Sequence, residues 1–402
     1  MKERVFPENF LWGSAISAYQ TEGGNVYSDW YFWEEKGKTV QLSKSCSDSY
    51  HRLVQDIDYL TELNQNAFRL SVEWSRIEPK ESVLIVHELD HYRTILQTLK
   101  TRKIKVFLTI HHFTNPQWFS ELGGWTQKKN IDHYLRFVQL LVDEFKDYVD
   151  FWITFNEPMI YAQNAFREGI FPPGKRSHWM FRRVVKNMIL AHRRAYKIIH
   201  TRATNPKVGI AKNNQHFIPY GPGILNRLVV YKTRLFWNHY FLRKIGRRQD
   251  FIGLNYYFQN KLKFSPFTDW SAPNHFFSRI MNDNVWVSDN GFQISPEGLY
   301  HVLCGLKVYR VPIYITENGI ADAKDTMRKK FIFQHLRSVY IAIKDFCPVR
   351  GYLYWSLLDN YEWGSFKPRF GLIEVNYATQ KRTVRHSARY YASICKKNAI
   401  EF

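Results

Sequence analysis

The sequence predicts an α/β protein built as a single eight-fold β/α barrel over residues 1–402. Three observations carry this: apolar strand-like runs alternate with amphipathic helical patterns, the runs number eight, and most of them end in polar or charged residues. Alternation predicts a parallel sheet, and eight units predict closure rather than an open sheet. A chain of 402 residues would ordinarily suggest two or three domains, but a β/α barrel reaches this size as one unit, and no low-complexity linker divides the chain.

The strand-like runs are 10–17, 66–72, 105–112, 151–156, 208–213, 251–257, 313–317 and 351–358. Between the third and fourth, Ile131, Tyr134, Leu135, Val138, Leu141, Val142, Phe145 and Val149 follow the three-and-four spacing of an amphipathic helix. Before the seventh, Ser295-Pro296-Glu297 reads as an N-cap, a first-turn proline and an acid facing the helix dipole. Polar strand ends at Glu73, His111-His112, Asn156-Glu157, Asn213-Asn214, Asn255, Glu317-Asn318 and Asp359 would gather at the C-terminal rim, where barrels of this kind place their chemistry.

Composition narrows the classes. Thirteen Trp, 25 Tyr and 30 Phe fit a bulky core, and their flat rings also suit the apolar faces of sugars. The formal charge of +21 predicts weak, non-specific binding of polyanions. The basic residues read as spread along the chain, as in Arg182-Arg183, Arg193-Arg194, Arg247-Arg248 and Arg328-Lys329-Lys330, without a nucleic-acid module, so no specific nucleic-acid partner is expected. No apolar run approaches the ~18 residues of a membrane span, and MKERVFPENFLWGSA shows no charged-then-apolar leader, so the expectation is a soluble cytoplasmic protein. Cys46, Cys304, Cys347 and Cys395 are scattered without a close pair, which predicts reduced thiols and no disulfide framework. The run His87-Glu88-Leu89-Asp90-His91 fits HExxH, but Thr94 and Gln97 stand where its extended form needs glycine and a third histidine, and the run lies where a loop should enter a barrel helix. A metalloprotease is therefore the weaker reading, and neither metal nor cofactor is expected.

Cleaving a glycosidic bond needs two carboxyl groups flanking it, one to protonate the leaving oxygen and one to attack or to activate water. Glu157 in TFNEP and Glu317 in ITENG end the fourth and seventh strands and would face each other across a barrel mouth. From SAYQTEGG through TFNEP and ITENG to WSLLDNYEW and RFGLIEV, the chain resembles glycoside hydrolase family one, the β-glucosidases and β-galactosidases that include the 6-phospho-β-glycosidases. The resemblance covers nearly the whole chain in order. It implies a retaining β-glycosidase acting on a small β-glycoside or oligosaccharide, with Glu157 as acid/base and Glu317 as nucleophile.

The same resemblance implies supporting roles. Arg69 in AFRLSVEW would keep Glu317 ionised, Tyr257 in GLNYY would orient it, and Asn255 would support the site. Glu157 has no such cation in its motif and would hold its proton. Asn156 would bind the sugar 2-hydroxyl, Gln20, His112, Glu362 and Trp363 would hold other hydroxyls, and Trp355 would form a floor under the ring. Glu362 stands where phospho-sugar members carry serine, which argues for an unphosphorylated sugar, although Ser365 and Lys367 nearby leave the 6-phospho reading open.

The chain also departs from the pattern. Phe113, Met159 and Phe292 replace family tryptophans on the leaving-group side, so the aglycone preference of relatives does not transfer, and the segments after ITENGIADA and DNYEW are short, predicting a more open cleft. Transglycosylation through the same covalent intermediate remains an alternative. A non-catalytic sugar-binding protein would have no use for both glutamates together with Arg69, Tyr257 and Asn156.

Overall fold

The computed structural model describes residues 2–266, 278–283 and 285–402. Eight strands close into a parallel barrel: β1 (Leu11–Ala15), β2 (Ala67–Ser71), β3 (Lys105–His111), β4 (Phe151–Asn156), β5 (Lys207–Asn213), β6 (Ile252–Asn255), β7 (Ile313–Asn318) and β8 (Val349–Trp355), with β8 pairing back onto β1. Each falls on one of the eight runs expected from sequence. Outside the barrel, a short strand Glu3–Val5 pairs antiparallel with Ala399–Glu401 and ties the two ends of the chain together.

Helices between the strands include α1 (Val86–Thr101), α2 (Ile131–Phe145), α3 (His178–Arg202), α4 (Ile224–Arg234), α5 (Pro296–Leu306), α6 (Arg328–Lys344) and α7 (His386–Lys397). The expected apolar stripe of α2 is buried from Ile131 through Phe145. Val149, read as part of the same stripe, lies past the helix end in the approach to β4. At α5 the Ser295 side chain accepts a hydrogen bond from Gly298 N at 3.1 Å, with Pro296 in the first turn, so the predicted cap forms.

The barrel interior is filled at its N-terminal end and polar above. Ala67, Phe107, Ile153, Ala211, Phe251 and Leu353 form the plug, with Phe107 stacked on Phe151 at 4.1 Å between centroids. One layer higher stand the buried polar groups of Arg69, Thr109, Asn156, Asn255 and Thr316. Dry packing below therefore supports a polar floor above.

Two sequence readings change in the structure. Cys304 on α5 and Cys347, just before β8, bring their sulfurs to 3.6 Å, so the thiols are not all scattered. Parallel strands β7 and β8 are neighbours, and this sets the ends of their preceding helices side by side. The HELDH run begins α1 rather than a loop; Glu88 accepts from the Tyr50 hydroxyl at 3.0 Å and His91 stacks on the Tyr50 ring at 4.1 Å. No helix among the described residues is long and apolar enough to cross a membrane.

Since Phe107 sits at the centre of the plug against Phe151, Phe251 and Tyr314, Phe107→Ala leaves a cavity that the closed barrel cannot collapse. Denaturant unfolding should show a loss of about 3–5 kcal/mol. A loss under about 1 kcal/mol would mean that the plug is not the keystone of the barrel.

Candidate active site

A pocket of about 210 Å³ opens at the C-terminal ends of the strands, and Glu157 and Glu317 both line it. A larger depression, about 460 Å³, lies at the opposite end beside Lys105, Asp150, Phe151 and Lys207, but it holds no facing pair of carboxyls. Chemistry rather than volume locates the site.

Glu317 is the more heavily held of the two. Arg69 Nη1 donates to its Oε1 at 2.5 Å, and the Tyr257 hydroxyl donates to its Oε2 at 2.6 Å. Arg69 is itself fully buried: Nη2 donates to Asn156 Oδ1 at 2.6 Å, Nε to Thr109 Oγ1 at 3.1 Å and Nη1 also to the Thr316 carbonyl at 3.3 Å. Burial raises the Glu317 carboxyl above its usual range, while the Arg69 charge and the Tyr257 hydrogen bond pull it back down. The sequence expectation that Arg69 favours the ionised form holds in direction, but desolvation outweighs it.

Glu157 has a different shell. Asn255 Nδ2 donates to its Oε1 at 2.9 Å and Asn213 Nδ2 at 3.3 Å. Burial, and after it the charge of Glu317, push this carboxyl up to about 7. A cation does stand near, from outside that motif. Lys212 on β5 is fully buried, donates to the Asn213 carbonyl and lies 5.2 Å from the Trp237 ring. Its charge lowers the Glu157 pKa without overcoming burial, and burial drops Lys212 itself to about 7. The sequence hides Lys212 because a lysine on a strand next to the pocket-facing Asn213 ordinarily points to the surface.

Backbone irregularities aim both groups. The β4–β5 register shifts between Ile153 and Asn156, and the β7–β6 register shifts between Ile315 and Glu317. Such shifts re-aim a strand's last side chains. Glu157 then takes a left-handed φ of 42°, its N–H bonded to the Ala211 carbonyl at 2.7 Å, before Pro158 starts the next helix. Phe113 and Trp363, also in the pocket wall, have φ of 71° and 43°. These conformations cost non-glycine residues about 1–3 kcal/mol each and persist where the surroundings over-determine them. Gly319 in ITENG is required for a separate reason: a Cβ there would stand 1.8 Å from the Trp355 carbonyl oxygen.

Of the remaining predicted residues, Gln20, His112, Asn156, Trp355, Glu362 and Trp363 line the pocket, while Asn255 is fully buried outside its lining. Gln20 Nε2 donates to Glu362 Oε2 at 3.0 Å and to Asn360 Oδ1 at 3.2 Å, and Ser17 Oγ holds its Oε1 at 2.7 Å. His112 lies near-parallel to Trp355 at 6.0 Å and to Trp363 at 6.1 Å, and pairs through Nε2 with Asn156 Nδ2 at 3.1 Å. Asn255 joins the two halves, donating to Asn156 Oδ1 at 3.0 Å as well as to Glu157, while its Oδ1 accepts from Thr316. Burial and the Glu317 charge push Glu362 up to about 8.

Not every polar strand end converges. Glu73 turns to Ser75 and Thr114, His111 packs beside Trp125 and Phe155, and Asp359 receives Arg385, Arg369 and the Gly371 N–H. These are supports of the rim. Met159 is fully buried away from the pocket, whereas Phe113 and Phe292 line it. Sequence reading missed Ile160, Asn164, Phe171, Phe258 and Phe370 in the wall, four apolar residues and one helical asparagine, of which only Phe370 falls inside a recognised motif.

The site can therefore present one carboxyl between a guanidinium and a phenol and a second carboxyl among amides. Comparison with known proteins agrees with that arrangement. The sequence profile described as Glycosyl hydrolase family 1 matches residues 2–247 and 233–400. Beta-glucosidase A of Thermotoga maritima is 32% identical over the full length of both chains, and the 1,4-beta-D-glucan glucohydrolase of Thermotoga neapolitana is 31% identical over 99% of each. The solved structure of a beta-glycosidase from Pyrococcus horikoshii superposes with a TM-score of 0.94 at 35% identity, covering 100% of this chain and 97% of that one. The closed barrel, the paired carboxyls at its rim and these whole-length matches together place this chain in glycosyl hydrolase family 1, as a retaining β-glycosidase.

Proposed function

We propose that Glu317 attacks the anomeric carbon of an unphosphorylated β-glycoside while Glu157 protonates the leaving oxygen, and that Glu157 then takes a proton from the water that releases the sugar. One barrel domain spanning residues 1–402 carries both steps, with Gln20, His112, Glu362 and Trp363 holding the terminal sugar over Trp355. The observation that carries the division of labour is the contrast in partners. Glu317 is gripped by Arg69 and Tyr257, which favour an anion, and Glu157 meets amides in a buried setting that favours a proton. Asn156, fixed by Arg69, Asn255 and His112, is preset for the 2-hydroxyl. The names of the relatives support glucosides and short β-glucans as substrates. Four free thiols, two of them 3.6 Å apart, support a reducing, cytoplasmic setting.

Glu317→Ala should abolish turnover of an aryl β-glycoside, with partial rescue by azide giving the inverted product by NMR. Retained product would make Glu157 the nucleophile. Glu157→Gln should slow substrates with poor leaving groups by about 10²–10⁴ and barely affect activated ones; equal losses would remove the acid role.

Because Glu157 must carry its proton and sits at about 7, kcat/KM for a poor leaving group should fall as pH rises through that value. Lys212→Met removes a charge that lowers the Glu157 pKa, so the basic limb should move to higher pH. An unmoved limb would exclude Lys212 from tuning the acid.

At neutral pH a Glu362 carboxyl at about 8 keeps its proton, so it can donate to and accept from the sugar 4- and 6-hydroxyls. A 6-phosphate would set a dianion against the buried Glu362 carboxyl, while Ser365 is engaged with Gln41 and Lys367 is exposed. The unphosphorylated aryl glycoside should exceed its 6-phosphate by about tenfold or more in kcat/KM, with Glu362→Ser narrowing the gap. A preference for the phosphorylated substrate would overturn the role given to Glu362.

A further inference from the structure

The cations are not spread evenly. Residues 169–266 hold 20 Lys and Arg against one acid, Asp250, a net +19 out of the chain's +21. Three of the four basic clusters that gave the impression of an even spread, Arg182-Arg183, Arg193-Arg194 and Arg247-Arg248, lie inside this stretch. It folds as one continuous sector of the barrel, running from α3 through β5 and α4 to β6 and the strand Gln259–Phe264. Among the described residues, Arg194, Arg202 and Lys261 meet carboxylates, those of Asp132, Asp143 and Asp283. Most of the other cations face solvent, including Arg227, Lys232, Arg234, Arg243, Lys244 and Arg247.

The same sector carries an apolar face open to solvent. Helix α4 follows the short strand His216–Pro219, which comes after β5 and pairs parallel with Gln259–Phe264, and it buries Val229 and Thr233 against the fold. Its opposite side presents Ile224, at 81% exposure, with Leu225, Leu228 and Tyr231 also exposed, and Tyr220 is exposed in the turn before it. Positions 224, 225, 228 and 231 fall on one face of an α-helix. Arg227, Lys232 and Arg234 are interleaved with them on the exposed side, and Lys263 reaches to 5.8 Å from the Tyr220 ring. None of these residues lines the sugar pocket.

We propose that this face docks on an anionic lipid bilayer. Ile224, Leu225, Leu228 and Tyr231 enter the headgroup boundary, and Arg227, Lys232, Arg234 and the cations of the surrounding sector meet the lipid phosphates. A contiguous aliphatic row on a solvent-facing helix needs a partner that removes it from water, and interleaved Lys and Arg need one that supplies negative charge. An anionic bilayer meets both needs at once, with each basic residue near the surface adding to the attraction. A nucleic acid would satisfy the cations through its phosphates, and single strands would stack on Tyr, but Ile and Leu at the centre of the face would gain nothing from it.

The test is co-sedimentation of the full chain with vesicles of phosphatidylcholine alone and of phosphatidylcholine mixed with phosphatidylglycerol. Binding is expected to the mixed vesicles only, weakening as salt rises. Ile224→Ser combined with Leu228→Ser should lower partitioning by about tenfold or more, and Arg227→Glu combined with Lys232→Glu should remove the preference for phosphatidylglycerol. Both double variants should keep native turnover of a soluble aryl β-glycoside, which also shows that they are folded. The proposal is overturned if the serine variant binds vesicles as the native chain does, since the attraction would then be charge alone. It is equally overturned if native protein binds single-stranded DNA more tightly than mixed vesicles, or if light scattering shows a dimer that the serine variant dissociates.

Discussion

Everything at the rim depends on one buried ion pair. Arg69 is fully buried, and its guanidinium reaches Glu317, Asn156, Thr109 and the Thr316 carbonyl. A guanidinium in this position must have all its donors met, because an unpaired buried charge costs several kcal/mol. That requirement fixes where β2, β3, β4 and β7 stand relative to each other. It also splits two chemically identical carboxyls: the one that touches Arg69 is drawn toward its anion, and the one that does not is left to burial.

The polar network above Arg69 is continuous. Asn255 bridges Asn156 and Glu157, Thr316 holds Asn255, and His112 closes the circuit through Asn156. Such a network sits in low dielectric, where each satisfied bond is strong and each broken one is costly. Its rigidity comes from the dry plug of Phe107, Phe151 and Phe251 beneath it. The strained backbones of Phe113, Glu157 and Trp363 are tolerated for the same reason, being held from several sides at once.

The outside of the barrel answers to different constraints. Helices need only one buried stripe, so their outer faces are free to carry charge or apolar groups without disturbing the chemistry. In the α3-to-β6 sector that freedom is used for positive charge and for the aliphatic row on α4, while the opposing rim residues stay neutral or acidic around the pocket. Substrate capture and surface attachment therefore use different side chains, although Phe171, Asn213, Tyr257 and Phe258 of the same sector line the pocket.

The sequence determined the barrel and most of the pocket because those signals are local. Strand runs, the α2 stripe and the Ser295 cap can be read within a few residues, and TFNEP, ITENG and DNYEW carry their residues in compact motifs. Partnerships were decided only by closure of the barrel. Arg69 and Glu317 are 248 residues apart, Gln20 and Glu362 are 342 apart, and Asn255 reaches Glu157 across 98. Direction was equally hidden. Glu73, His111 and Asp359 end in the same polar pattern as the pocket residues yet turn to other partners, and Lys212 is buried where a strand lysine ordinarily faces water. The meeting of Cys304 and Cys347 has the same origin. Linear spacing states which residue types lie near a strand end, whereas side-chain direction follows from register shifts and neighbouring strands that exist only once the sheet has closed.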